Sequence, residues 1–162
     1  MDGEEPRLTA IRDVTERQRI LDALRTSEES LRQTLAQTPN VAVQWYDADA
    51  RVVFWNHASE RMFGFSAEEA LGRTLDALIH TPEEAAGFRG VLNTLAATGA
   101  TQGPVEYPFR RRDGTYGRCL STTFRIGDPG GGFRFVCMDV DITEHKRTED
   151  ALRESAERYR LL

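Results

Sequence analysis

The sequence predicts a mixed α/β domain, two strands, several short helices and then three strands, with a long helix at either end. Three observations carry this. A 20-residue stretch occurs twice, as Asp13–Arg32 and again as Asp141–Arg160, with 11 of 20 positions identical at an offset of 128 residues. Between the copies, two short strand-like runs lead into capped helical segments, and three longer alternating runs close the block. Asp113-Gly114, between two of those longer runs, is the strongest short hairpin signal in the chain.

The repeat sets the boundaries. Leu8-Thr9-Ala10-Ile11 stands before the first copy where Val136-Cys137-Met138-Asp139 stands before the second. Residues 1–14 therefore read as the end of a preceding unit of the same kind, or an N-terminal extension. Residues 15–38 form an N-terminal connecting helix, 39–143 the central domain and 144–162 the start of a C-terminal connecting helix. A chain organised in this way is expected to be a piece of a larger protein. Each connector opens Asp-x-Thr-Glu, which places Asp13 or Asp141 at the N-cap and Glu16 or Glu144 at the third helical position, a capping-box arrangement. Apolar residues then recur at Ile20, Leu24 and Leu31, and at Leu152, Tyr159 and Leu162. That narrow seam suits a parallel dimeric coiled coil, with Leu24 and Leu31 sharing one heptad position. The alternative is a surface helix folded back on the central domain.

Within the central block, Val41–Tyr46 and Arg51–Trp55 read as strands around the turn Asp47–Ala50. Asn56 suits the cap of a short helix over Ala58–Phe63 that stops at Gly64. Ser66–Glu69 opens a second helical turn and Thr74–Ile79 a third. Thr81-Pro82-Glu83-Glu84 is a strong helix start, and that helix runs through Phe88, Val91, Leu92 and Leu95 to Gly99. Strands follow at Pro104–Arg111, Tyr116–Ile126 and Phe133–Val140. Pro108 cannot donate to a ladder, so its strand should lie at a sheet edge.

Composition narrows the function classes. The net charge of -5 argues against nucleic acid as a partner. Two cysteines without a CxxC spacing argue against a disulfide framework or structural zinc, and no metal site is expected. No apolar run approaches the roughly 20 residues of a membrane span, and the N-terminus is acidic, so no membrane contact and a cytoplasmic location are expected. No Walker loop, nucleophile elbow or HExxH occurs, so no catalytic residues are assigned. The carboxylate pairs and the Arg110-Arg111-Arg112 cluster read as solvated charge.

The order of elements over Pro39–Thr143 resembles a PAS domain, and so do local stretches. They are Val53-Phe54-Trp55-Asn56, Phe63-Gly64-Phe65-Ser66-Ala67-Glu68-Glu69-Ala70-Leu71-Gly72, Ile79-His80-Thr81-Pro82-Glu83, Arg111-Arg112-Asp113-Gly114 and the exit signature Asp141-Ile142-Thr143-Glu144. The resemblance implies an α+β fold, a five-stranded antiparallel sheet with short helices on one face that form one wall of a cavity, and connectors like the signalling helices between PAS units. It also implies a candidate ligand pocket lined by Val43, Trp45, Leu78, Phe88, Leu92, Tyr107, Ser121 and Phe135, residues that serve equally as core.

PAS domains of known cofactor need particular residues. The light-oxygen-voltage type needs a helical Cys, whereas Cys119 and Cys137 fall on strands, where buried inert thiols are expected. Haem needs an axial donor, and no His lies between Thr81 and Gly99; Phe88 stands near the place where the resemblance would put one. His80 reads as scaffold, His57 as solvated, and His145 lacks the surroundings of a phosphoacceptor. No cofactor is therefore expected. The function expected is a non-catalytic sensory or relay module in a bacterial multidomain signalling protein. It would be a homodimer through its flanking helices, with Asp141, Thr143 and Glu144 as the coupling junction to an output domain, a histidine kinase or a cyclic-dinucleotide enzyme, outside this chain. The alternative is a sensor that binds an unknown small ligand, metabolite or cofactor in the core pocket. A purely architectural dimerisation unit is the third.

Overall fold

A computed structural model describes residues 5–128 and 130–160, with side chains from Val14 onward. Its elements are α1 (Glu5–Gln37), β1 (Ala42–Tyr46), β2 (Val52–Trp55), α2 (His57–Phe63), α3 (Ala67–Ala70), a 3-10 turn (Leu75–Ala77), α4 (Pro82–Thr98), β3 (Gln102–Arg110), β4 (Tyr116–Gly127), β5 (Phe133–Asp141) and α5 (Thr143–Arg160). The chain divides between Leu35 and Ala36 into two units.

The first unit is helical. The sequence places the start of this helix at a cap on Asp13, but α1 runs unbroken from Glu5, and residue 13 lies inside it. Leu8–Ile11 corresponds to a strand in the second copy, yet here it has no neighbouring strand. A lone strand leaves its backbone unpaired, whereas a helix satisfies it locally. The side chain of Asp13, and Leu162, lie outside what the structure describes.

In the second unit the five strands pair antiparallel in the order β2-β1-β5-β4-β3. β3, which carries Pro108, lies at the edge as its missing N–H requires. Side chains alternate across a sheet, so the register decides which residues face the helices. Tyr46 pairs with Phe135, Gln44 with Cys137 and Ala42 with Asp139. Ser121 in turn pairs with Asp139 and with Val105, and Cys119 with Tyr107. These residues form the inner face, and Val43, Trp45, Val136 and Met138 form the outer one.

Local signals set the helical layer. Asn56 caps α2 by accepting from the Ser59 N–H, and its Oδ1 also accepts from the Val43 N–H, which ties the helix start to β1. Capping boxes open α3 at Ser66/Glu69 and α4 at Thr81/Glu84. α4 ends where Gly99 takes φ 70°, a left-handed conformation that glycine adopts without a Cβ penalty. Between helices and sheet, Tyr46, Phe63, Phe109 and Phe135 are fully buried, each contributing about 1.5–3 kcal/mol of hydrophobic stabilisation. Phe63 meets Phe109 edge to face, with ring centroids 5.2 Å apart at 84°. No helix among the described residues is long and apolar enough to cross a membrane.

Candidate functional site

The inner face of the sheet is not completely filled. A cavity of about 320 Å3 lies between it and α4, walled by Tyr46, Phe63, Phe88, Val91, Tyr107 and Phe109. Its polar lining comprises His80 and Glu84 on one side and Cys119, Ser121, Thr123, Cys137 and Asp139 on the sheet, beside the phenols of Tyr46 and Tyr107. At about 30 Å3 per water, the space holds on the order of ten water-sized groups.

Asp139 is the unusual member. It stands on β5, the central strand, and is only 6% exposed. Ser121 pairs with it across the β4–β5 ladder, and its Oδ1 has no protein partner. Burial pushes the carboxyl up to about 6, against the opposing pull of the Ser121 and Gln44 side chains. Burial and the nearby Asp139 charge likewise raise the Cys119 and Cys137 thiols, both of them free and buried. His80 is lowered by burial, with Glu84 pulling the other way. Its Nδ1 lies 3.6 Å from Glu84 Oε2, beyond hydrogen-bond reach, and is unpartnered.

The raised carboxyl has a consequence for stability. Its folded value lies above the ordinary 3.8, so the folded state holds its proton longer than the unfolded chain does. Stability from this group is fully present below about pH 4 and is lost as pH rises towards and through about 6. Asp139→Asn keeps the shape and cannot ionise. The variant is expected to melt at a similar temperature to the wild type at pH 4 and at a higher one at pH 8. The difference should be on the order of 2–3 kcal/mol. Melting curves of both proteins across this range check it; a constant offset between them would show that the Asp139 carboxyl titrates alike in the folded and unfolded chains.

A second constellation lies where the sheet becomes helix. Asp141 ends β5, and its Oδ1 accepts from the Thr143 N–H at 2.9 Å and from the Thr143 hydroxyl. The ladder continues past it, with the Ile142 N–H donating to the Arg118 carbonyl and the Arg118 N–H to Thr143 Oγ1. The first helical bond of α5 runs from Lys146 N–H to Ile142 O, so Ile142 is the cap residue and Asp141 precedes it. The box expected from Asp141 and Glu144 is thus displaced by one residue. Asp141 binds the first helical N–H, and Glu144 pairs with Arg147 on an exposed face. Extending the β4–β5 ladder through Ile142 delays the helix by that residue.

Arg111 joins this junction to the core. Its Nη2 lies 2.8 Å from Asp141 Oδ2, its Nε donates to the Met62 carbonyl at 3.1 Å, and its guanidinium lies 4.8 Å over the Phe109 ring. Lys146 of α5 pairs with Glu106 of β3 at 2.8 Å. Arg112 binds Glu69, and its N–H donates to the Phe63 carbonyl. The arginine cluster is therefore not simply solvated: two of its members hold the hairpin to the helices.

The structure distributes the sequence-predicted residues unevenly. Phe88, Tyr107 and Ser121 line the cavity. Leu78, Leu92 and Phe135 are buried in the core around it. Val43 and Trp45 lie on the outer face, Trp45 stacked on Phe54 at 4.9 Å; in β1 the inward parity belongs to Ala42, Gln44 and Tyr46. The seam residues Ile20, Leu24, Leu31, Leu152 and Tyr159 are 55% to 76% exposed. Asp139, Phe109 and Arg111 were missed. For Asp139 a signal existed: it shares the parity of Phe135 and Cys137, so an apolar strand turns a carboxylate inward.

The lining does not fit the familiar cofactors. α4 offers the cavity Glu84, Gly87, Phe88 and Val91, no axial nitrogen among them, and the one imidazole of the lining, His80, stands before the helix. Neither cysteine lies on a helix. Among the described residues, no group of three or more His, Cys, Asp or Glu could hold a metal ion.

Comparison with known proteins agrees with this architecture. A family model described as PAS fold matches residues 16–140. Sensor protein FixL of Bradyrhizobium diazoefficiens is 28% identical over 150 residues, which cover 88% of this chain and 28% of FixL. The chain thus spans little more than a quarter of that relative's length. Among solved structures, the PAS domain of an HTR-like protein from Haloarcula marismortui superposes with a TM-score of 0.65 at 21% identity, covering 77% of this chain and 99% of that one. The PAS domain of the quorum-sensing receptor RpfR from Cronobacter turicensis, in complex with C12:0, gives 0.54 at 21%, covering 66% and 98%.

Proposed function

The chain belongs to the PAS family, and on that footing we propose that it is a non-catalytic sensory module whose core cavity takes a small ligand. Occupancy is passed through the Asp141–Thr143 junction to the flanking helices, and from them to an output domain beyond this chain, a histidine kinase or a cyclic-dinucleotide enzyme. The observation that carries this is the cavity of about 320 Å3, whose wall residue Phe109 lies under the guanidinium that holds Asp141. A pure relay needs the junction but has no use for an unfilled core with an unpartnered carboxylate oxygen. The solution of this fold in complex with C12:0 in RpfR supports enclosure of a small molecule at the level of the fold alone.

The helices would act as the readout. Ile20, Leu24 and Leu31 in α1, and Leu152 and Tyr159 in α5, are apolar and exposed on otherwise charged helices. A second copy supplies the partner, and two coil arrangements of similar energy form the bistable element. Light scattering at tens of micromolar should give the mass of a dimer, and Leu24→Asp with Leu31→Asp should give a monomer; a monomeric wild type would remove the coil from the mechanism. In the full-length parent, Asp141→Ala should abolish the response of output to stimulus, and an unchanged response would overturn the coupling role.

A further inference from the structure

The cavity's electrostatics select a class of ligand. Its charged lining is Glu84 and Asp139, with no Arg or Lys, and its single imidazole is pushed towards the neutral form by burial. A carboxylate or phosphate entering this space would meet like charge and no cation. Asp139 offers an acceptor oxygen that is buried and has no protein partner, and leaving such an acceptor unmet is costly in a low-dielectric interior. The other walls are aromatic and aliphatic. A charged donor there gains a stronger hydrogen bond than a neutral one would.

We propose that the cavity binds a small, mostly apolar amine of about ten non-hydrogen atoms, whose nitrogen donates to Asp139 Oδ1 while its apolar body packs against Phe88 and Tyr107. The inference rests on the cavity being the sensing site and adds to it the sign of the ligand. It sets this chain apart from PAS domains that take an acidic ligand.

Benzylamine, toluene and benzoate share one ring and differ in the group they would present to Asp139. Titrated separately into the isotope-labelled chain, they are read by amide shifts around the cavity. Benzylamine should shift the amides of Phe88, Ser121 and Asp139, benzoate should bind at least tenfold more weakly, and Asp139→Asn should weaken benzylamine at least tenfold while leaving toluene unchanged. If benzoate or toluene binds as tightly as benzylamine, or if the folded variant keeps its benzylamine affinity, the amine preference is overturned and the sensing cavity stands. If no compound shifts any cavity amide, both are overturned. Should Asp139→Asn not fold, the ranking of the three compounds on the wild type decides alone.

Discussion

Arg111→Ala is expected to destabilise the domain by about 2–3 kcal/mol and to loosen the start of α5. The ion pair with Asp141 is partly exposed, with side chains 23% and 35% accessible, and by itself would contribute about 0–1 kcal/mol. The rest comes from the charged donor on the Met62 carbonyl, at about 1.5–3 kcal/mol, and from the guanidinium over Phe109, at about 0.5–1 kcal/mol. These share one side chain and do not add fully. Urea denaturation measures the loss. Amide exchange tells where it falls: Asp141 holds the Thr143 N–H, so protection over Thr143–Lys146 should drop more than the global change explains. Arg111→Lys should recover part of the stability, since an ammonium can pair with Asp141 but cannot also reach Met62 with a planar fork. If global stability falls while exchange at the start of α5 follows it without excess, Arg111 supports the fold only and the junction is held by other bonds.

The fold was legible because its elements carry local punctuation. Asn56, Ser66 and Thr81 are short polar side chains before helical runs, Asp113-Gly114 is a turn whatever surrounds it, and Pro108 at the edge follows from one missing N–H. The first connector failed for an instructive reason. Its match to the second copy is real, but Leu8–Ile11 lacks the sheet that makes Val136–Asp139 a strand, and the helix runs through. The site was harder. Which face of β1 turns inward depends on register with β5, a property of pairing that Val41–Tyr46 does not encode alone, so Trp45 stood where Tyr46 belongs. Arg111 sits in a hairpin rich in arginine, and nothing nearby in sequence distinguishes it from Arg110; its partners Met62 and Asp141 lie far along the chain and are joined only by the closed sheet. The unfilled volume is likewise a property of packing, since the aromatic residues that suggested a filled core meet edge to face and leave space beside them.

Gly117→Ala tests the contact between cavity and helix most directly. Gly117 pairs with Phe109 across the β3–β4 ladder, and a Cβ there would press on Phe109 Cζ and stand 2.8 Å from both Phe109 Cε1 and Thr143 Oγ1. Nothing at those distances can stay in place. Phe109 packs edge to face on Phe63 at 5.2 Å, lies under the Arg111 guanidinium and borders the cavity. Thr143 Oγ1 is held by the Arg118 N–H at 3.0 Å and by Asp141. The added methyl is therefore expected to drive the ring into the cavity and strain the first turn of α5 together, at about 1–3 kcal/mol of overpacking. Three readouts should move in one variant: a lower urea midpoint, faster amide exchange at Ile142–Lys146, and weaker binding of benzylamine. The combination matters because each alone has a trivial source. Loss of stability with the cavity and the helix start both unchanged would mean that Phe109 and Thr143 yield independently of what they border. Movement of all three would place the mechanical link between ligand and helix at a position where the absence of a side chain lets a wall of the cavity and the root of the helix touch.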